Sequence, residues 1–338
     1  MDFDTIFRET RSGRSVRQII VLPDADVSEP DTVSEDELDH TFQQSNSSSD
    51  DEVIEEDDAS TDARRKSYTW RRRPFNPKTE PFTEADEEIP SVLRPIEYFR
   101  MYFTAQLLSH IAFETNRKAT QSLCGRNGFV HDFWMCDGMA PKVENSIGFF
   151  AADVVMKLCE TLPKHKGYKV FFDNYFAFLE LQEALLRDGI YSVATIRSNR
   201  LRGCPVMPSN ELKRKGRGAT DFCCTRDNKL CVVKWFDNRE VILTSTYKCV
   251  DPVEPVRRWD KRQRQFIDVP CPQIVKEYNQ FMGGVDLTGM LISLYRIDHK
   301  CRKWHRRVFF WAIHVALTNS WLKYRVCHRT LPSSLHEM

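Results

Sequence analysis

The sequence predicts an α/β fold with a β-strand insertion, preceded by a disordered acidic N-terminal region. Three observations carry that reading. Between Tyr168 and Ile196 a short apolar strand, an acid, an amphipathic helix and a second β-rich run follow one another, the alternation of an α/β unit. Between Ala219 and Tyr247 three alternating segments are joined by Asp227–Asn228 and Asp237–Asn238, turn pairs suited to antiparallel strands. Ahead of both, Gln18 to Ala63 contains no Lys or Arg but 16 Asp and Glu, with a polar Gln and Ser run inside it. Such a stretch holds too little apolar surface to offset the entropy of ordering its backbone.

Each element follows in order. Order is expected to begin near Pro90, after a basic cluster, Arg64–Lys66 and Arg71–Arg73, that reads as a nuclear localisation signal, a phosphate-binding arm or a solvated linker. Pro95–Thr115 has apolar residues at three-to-four spacing and predicts a helix. Gly125–Gly128 is a turn and Phe129–Met135 has strand character. Ile147–Leu162 predicts a helix ended by Pro163. Tyr168–Phe172 is a strand, Phe176–Arg187 a helix closed by Gly189, and Ile190–Ile196 a strand. After the 219–247 strands, Arg257–Arg264 reads as a basic loop; Pro272–Phe281, Val285–Tyr295 and Val308–Tyr324 read as helices. The corresponding domains are a 1–90 arm, a 91–121 helical remnant, a 122–200 first core part, a 201–270 insertion, a 271–326 helical part and a 327–338 tail.

Charge narrows the function. The 338 residues sum to +1, but outside the acidic stretch 49 Lys and Arg face 32 Asp and Glu. A basic body of that kind suits nucleic acid or another polyanion. No apolar run approaches the roughly 18 residues of a membrane span. The eleven cysteines contain no C-x-x-C pair, and they read as reduced thiols rather than a zinc knuckle.

Two acids stand out. Asp173 ends an apolar strand just before a helix, the sheet edge where α/β proteins gather ligands; an acid there also caps the helix that follows. Asp286, in Met282-Gly283-Gly284-Val285-Asp286, follows two glycines at a helix start, where an acid also complements the helix dipole. Phosphate-gripping candidates are Lys213, Arg214, Lys215 and Arg217 with Arg202, and Arg257, Arg258, Lys261, Arg262 and Arg264 with Trp259 among them.

The segments Phe171-Phe172-Asp173-Asn174-Tyr175-Phe176, Thr195-Ile196-Arg197-Ser198-Asn199-Arg200 and Tyr278-Asn279-Gln280-Phe281-Met282-Gly283-Gly284-Val285-Asp286 resemble the piggyBac transposase signature, as do Tyr295-Arg296 and Lys303-Trp304. The resemblance implies a ribonuclease-H-like core with a β insertion, three aspartates holding two Mg2+ ions for DNA strand cleavage and joining, DNA as partner, and a homodimer in the nucleus. By position, Asp173 and Asp286 match the second and third catalytic aspartates and would be the metal ligands. Gly125 in Leu123-Cys124-Gly125 takes the place of the first, and Gly289 that of an additional acid. Asp132 and Asp137 would substitute only if strand alternation aimed them inward. The family's long helical segment between Glu114-Thr115-Asn116-Arg117 and the first core strand has no counterpart after Gln121. Its C-terminal zinc domain is matched only by Cys327 and His328. The resemblance with these departures implies a DNA-binding protein defective in cleavage; an active Mg2+-dependent transposase, or an adaptor whose acidic arm recruits protein partners, are the alternatives.

Overall fold

The computed structural model describes residues 4–9, 15–20, 66–83, 93–104, 119–136, 141–260, 263–294 and 304–329. The chain divides into two units, residues 1–49 and 50–338. In the first, β1 (Asp4–Glu9) and β2 (Ser15–Ile20) pair antiparallel, with Asp4 opposite Ile20. Thr5, Ile6, Val16, Ile19 and Ile20 are β-branched and favour a pleated ribbon, so part of the arm expected to be disordered carries a hairpin. The acidic stretch at 21–65 lies outside the described residues.

The second unit is a mixed α/β structure. Its elements are β3 (Trp70–Arg71), α1 (Pro95–Tyr102), β4 (Ala119–Cys124), β5 (Val130–Cys136), α2 (Phe150–Cys159), β6 (Lys169–Phe172), α3 (Leu179–Arg187) and β7 (Tyr191–Thr195), then α4 (Ser209–Lys215), β8 (Thr220–Thr225), β9 (Cys231–Phe236) and β10 (Glu240–Ser245). The hairpin β11 (Glu254–Asp260) and β12 (Gln265–Cys271) follows, and α5 (Gln273–Phe281), α6 (Gly284–Leu294) and α7 (Trp304–Arg329) close the described chain. Six strands form one sheet in the order β3-β8-β9-β10-β7-β6. Only β6 and β7 are parallel, Phe172 opposite Ala194, and α3 makes the crossover between them. All other pairs are antiparallel, including β10 on β7.

The predicted insertion strands therefore continue the α/β sheet. The reason lies in β7, whose Tyr191–Ala194 are buried without interruption. A strand covered on both faces needs ladder partners on both edges, and β10 supplies the second. The core gathers Phe172, Leu181, Leu185 and Ile190 with Val155 and Met156 of α2. Among the described residues, no helix is long and apolar enough to cross a membrane.

Three expectations are corrected. First, order begins by residue 66. Trp70–Arg71 pairs with Cys224 and Thr225 at the sheet edge, and the Trp70 indole donates to the Arg202 carbonyl (3.2 Å). Arg72 grips the buried Asp221 with both guanidinium nitrogens and also donates to the Pro205 carbonyl (2.7 Å). Arg73 donates to Asn228 Oδ1 (3.1 Å). These arginines face a buried carboxylate and backbone oxygens, so they are structural and not a solvated arm; Arg64 and Arg65 lie outside the described residues. Second, the basic loop is a hairpin, with Val256, Arg258 and Asp260 turned inward and Arg257 and Trp259 outward. Third, Cys231 and Cys249, expected as free thiols, are joined. The helix expected over Pro95–Thr115 is described to Tyr102, with 105–118 outside the described residues.

The β4–β5 hairpin forms its own two-stranded sheet, leaving β6 at the edge of the larger one. A side-chain amide anchors it. Val130 N–H donates to Asn319 Oδ1 (2.9 Å) and Asn319 Nδ2 donates to the Val130 carbonyl (2.8 Å), so α7 supplies a one-residue imitation of a ladder. Thr288 Oγ1 adds a bond to the Gly128 carbonyl (2.8 Å). Asn319→Ala leaves a buried donor and acceptor unpaired and should lower stability by about 2 kcal/mol. The urea midpoint should fall with the slope unchanged; an unmoved midpoint would mean that the hairpin is held elsewhere.

Candidate functional site

The site grows from the C-terminal end of β6. Val170 and Phe172 point into the core and the chain then turns at Asp173, whose Oδ1 accepts the Tyr175 N–H (2.9 Å). Asp173 therefore does not cap the helix as the sequence suggested: α3 begins at Leu179 after Phe178, with no side-chain cap, and the Asp173 bond closes a turn ahead of it. The turn is pinned from the neighbouring strand's exit. Arg200, in the short helical turn after β7, donates to the carbonyls of Asn174 (2.8 Å), Tyr175 (3.0 Å) and Ala177 (3.2 Å), and its guanidinium lies 4.0 Å from the centre of the Phe178 ring. Arg197 Nε donates to Asn174 Oδ1 (3.3 Å). Two fingerprint segments thus become one unit: the arginines after β7 set the path of the chain after Asp173.

Asp286 arrives on the first turn of α6, exposed, after the Gly283–Gly284 turn. A Cβ at 284 would stand 2.6 Å from the Gly125 carbonyl oxygen, so only glycine lets α6 meet the β4–β5 turn backbone to backbone. This contact puts Gly125 beside the turn that carries Asp286. A side chain at 125 would begin 3.0 Å from Asn127 Oδ1 and 3.1 Å from His131 Nε2, whose ends must yield a few tenths of an ångström. At Gly289 a side chain would meet open space.

Tyr278 feels the charge of both acids. Its hydroxyl is buried on α5, and its pKa is pushed above the ordinary tyrosine value by burial first and then by the negative fields of Asp173 and Asp286, with Thr195 acting the other way. Both carboxylates therefore act on one phenol. α5 is set over β6 by Phe171 stacking on Phe281 (centroids 5.2 Å apart) and by Glu277, which accepts from the Tyr247 hydroxyl (3.0 Å) and faces Lys169 (3.6 Å). Sequence reasoning quoted Tyr278 and Arg200 inside motifs without giving them roles. Asp132 turns its carboxylate back to its own strand, accepting the Phe133 N–H (2.8 Å); Asp137 lies outside the described residues.

The basic candidates separate into two sets. Arg202 pairs with Glu180 (3.0 Å). Arg217 binds Asp237 and faces Asp260 (3.8 Å), and Arg258 faces Asp237 (3.4 Å). Their charges are spent inside the fold, and those of Arg217 and Arg258 fasten the β11–β12 hairpin to the β9–β10 turn. Lys213, Arg214 and Lys215 are exposed on the last turn of α4, and Arg264 is exposed near the hairpin tip. Trp259 is 47% exposed, packs edge-on against Phe266 across the ladder, and Arg257 lies 4.7 Å from the Phe266 ring centre. Lys261 and Arg262 lie outside the described residues.

The family profile described as Transposase IS4 matches residues 121–321, from β4 into α7, and the chain belongs to this transposase family. Within it the similarity is to piggyBac-derived proteins. Human piggyBac transposable element-derived protein 2 is 29% identical over 160 residues, 47% of this chain and 27% of that protein. Human piggyBac transposable element-derived protein 3 is 29% identical over 202 residues, 59% of this chain and 34% of that one. The match thus spans about a third or less of these relatives' length. A cryo-EM structure of a piggyBac transposase synaptic complex with hairpin DNA aligns over 62% of this chain and 41% of its own, at 23% identity and a TM-score of 0.45.

Arg200→Ala should loosen the Asp173 turn. Amide exchange of residues 174–178 should quicken at least about tenfold, corresponding to roughly 1.4 kcal/mol of local protection, and Arg200→Lys should restore little of it because an ammonium cannot reproduce the guanidinium fork. Unchanged exchange in the alanine variant would remove Arg200 from this role.

Proposed function

We propose that the chain is a transposase-derived DNA-binding protein with a ribonuclease-H-like core, acting in the nucleus, whose strand-cleaving centre is incomplete. The observation that carries this reading is the glycine contact: Gly125 lies against Gly284, while the charges of Asp173 and Asp286 both act on the buried Tyr278 phenol. Two-metal phosphodiester cleavage needs a pair of cations a few ångströms apart, each held by several oxygens. Gly125 offers no side-chain oxygen to that set, and Asp173 already gives one oxygen to the Tyr175 amide. Asp173 and Asp286 are the residues that would hold Mg2+, and as a two-metal set they do not fit it.

DNA binding rests on the surface that remains after the internal ion pairs are accounted for. Lys213, Arg214, Lys215, Arg257 and Arg264 carry outward charge, and Trp259 with Phe266 offers an exposed aromatic face (47% and 48%). Arg217, at the end of α4, reaches Asp260 at the end of β11, so the two basic segments flank one surface. Cations there neutralise phosphates and the indole stacks on an unpaired base. Asp268 sits opposite Arg257 in the ladder and tempers that end of the surface.

Affinity for a DNA duplex should fall steeply with salt. Replacing Lys213, Arg214 and Lys215 by alanine should flatten the log–log slope by about 1–3, since each phosphate contact contributes roughly 0.9. Trp259→Ala should weaken single-stranded binding by about 1–3 kcal/mol. Plasmid nicking in Mg2+ should give no product. Cleavage that vanishes in Asp173→Ala would establish an active enzyme instead, and salt-independent retention would favour the adaptor role.

A further inference from the structure

Three cysteine sulfurs, two from neighbouring strands and one from a loop, converge at one end of the six-stranded sheet. Cys224 lies near the end of β8, Cys231 opens β9 and Cys249 lies in the loop after β10. The register sets Cys224 opposite Cys231 on one side and Ser245, near the return of the chain to Cys249, opposite Cys231 on the other. All three sulfurs lie within 4.8 Å of one another, and Cys224 and Cys231 are fully buried. In the structure Cys231 and Cys249 form a disulfide, with the Cys224 thiol beside it, directed at the Arg73 carbonyl (3.6 Å).

The geometry points to a second state of this trio: when reduced, Cys224, Cys231 and Cys249 form a site for a thiophilic divalent cation of the zinc class. Zinc bonds thiolate sulfur at about 2.3 Å, so tetrahedral ligands sit roughly 3.8 Å apart, a spacing the trio reaches with small side-chain shifts. Sulfur ligands select such a soft ion over Mg2+ or Ca2+. Charge also balances. Three thiolates around a dication leave one negative charge, and the Arg73 charge acts on the Cys224 sulfur. Arg73 is itself held in place by Asn228 (3.1 Å) and the Arg226 carbonyl. Three sulfurs leave one of zinc's four positions for water or an added thiol. The loop residues Lys248–Val250 are partly exposed and give the ion a way in.

Opening the site takes two electrons and two protons onto the Cys231–Cys249 bond, yielding two thiols. A phosphine supplies the electrons in vitro and leaves as phosphine oxide, its oxygen drawn from water. Metal entry then releases the three thiol protons.

The experiment uses the full chain, reduced with a phosphine under inert gas, equilibrated with Zn2+ and desalted. One zinc above the uptake of the unreduced chain is expected, and Co2+ in its place should give thiolate-to-metal charge-transfer absorption. Cys249→Ser, on a partly exposed loop, should lose both signals, while Cys159→Ser, a buried thiol on α2, should keep them. Zn2+ should also raise the melting temperature of the reduced wild type and leave Cys249→Ser unmoved. No zinc uptake on reduction, or equal uptake by Cys249→Ser, overturns the proposal.

Discussion

The site depends on a contact with no side chain in it. Gly284 meets the Gly125 carbonyl closely enough that a methyl group at 284 would stand 2.6 Å away. Through that approach α6 docks on the β4–β5 turn, Thr288 bridges the Gly128 carbonyl and its own Gly284 carbonyl (2.9 Å), and Asp286 is carried to the neighbourhood of Tyr278. Backbone contacts of this kind tolerate no drift, because nothing flexible lies between the two chains. At that contact the β4–β5 turn presents only a backbone carbonyl and a hydrogen on Cα.

Much of this was legible in the sequence, and the limits have physical causes. The Tyr168–Ile196 alternation gave β6, α3 and β7 because burial there follows simple periods. The segments from Ala219 to Tyr247 gave β8–β10 within a few residues, since their turns carry Asp-Asn pairs. Their pairing with β7 was hidden, because no local pattern says which edge a strand will join. The β11–β12 hairpin was hidden for another reason. Its inward positions include Arg258 and Asp260, so charge masked a period of two; Asp237, the acid that makes an inward arginine tolerable, is 21 positions away.

The same masking explains the N-terminal edge. Arg71–Arg73 looks like a solvated cluster until Asp221 is placed under Arg72, 149 positions later in the chain. A long-range ion pair leaves no trace in spacing. Of the candidate site, the two acids were visible as motif residues. Tyr278 was not distinguishable from an ordinary core tyrosine, and Arg200 was one basic residue among many. What marks them is their surroundings: the charges of two carboxylates distant in sequence for the first, and the carbonyls of Asn174, Tyr175 and Ala177 for the second.

The start of α5 carries a further consequence. Pro272 precedes it, and the first free amides of the helix, Gln273 N–H and Ile274 N–H, donate to the carbonyls of Val250 (2.9 Å) and Cys249 (3.1 Å). The helix that bears Tyr278 therefore begins on acceptors borrowed from the strand-rich region, not from its own sequence. Removing the strand-rich segment up to residue 271 would sever no covalent part of that helix yet strip its leading donors of their partners. The strand-rich segment is thus a foundation of the helix that bears Tyr278.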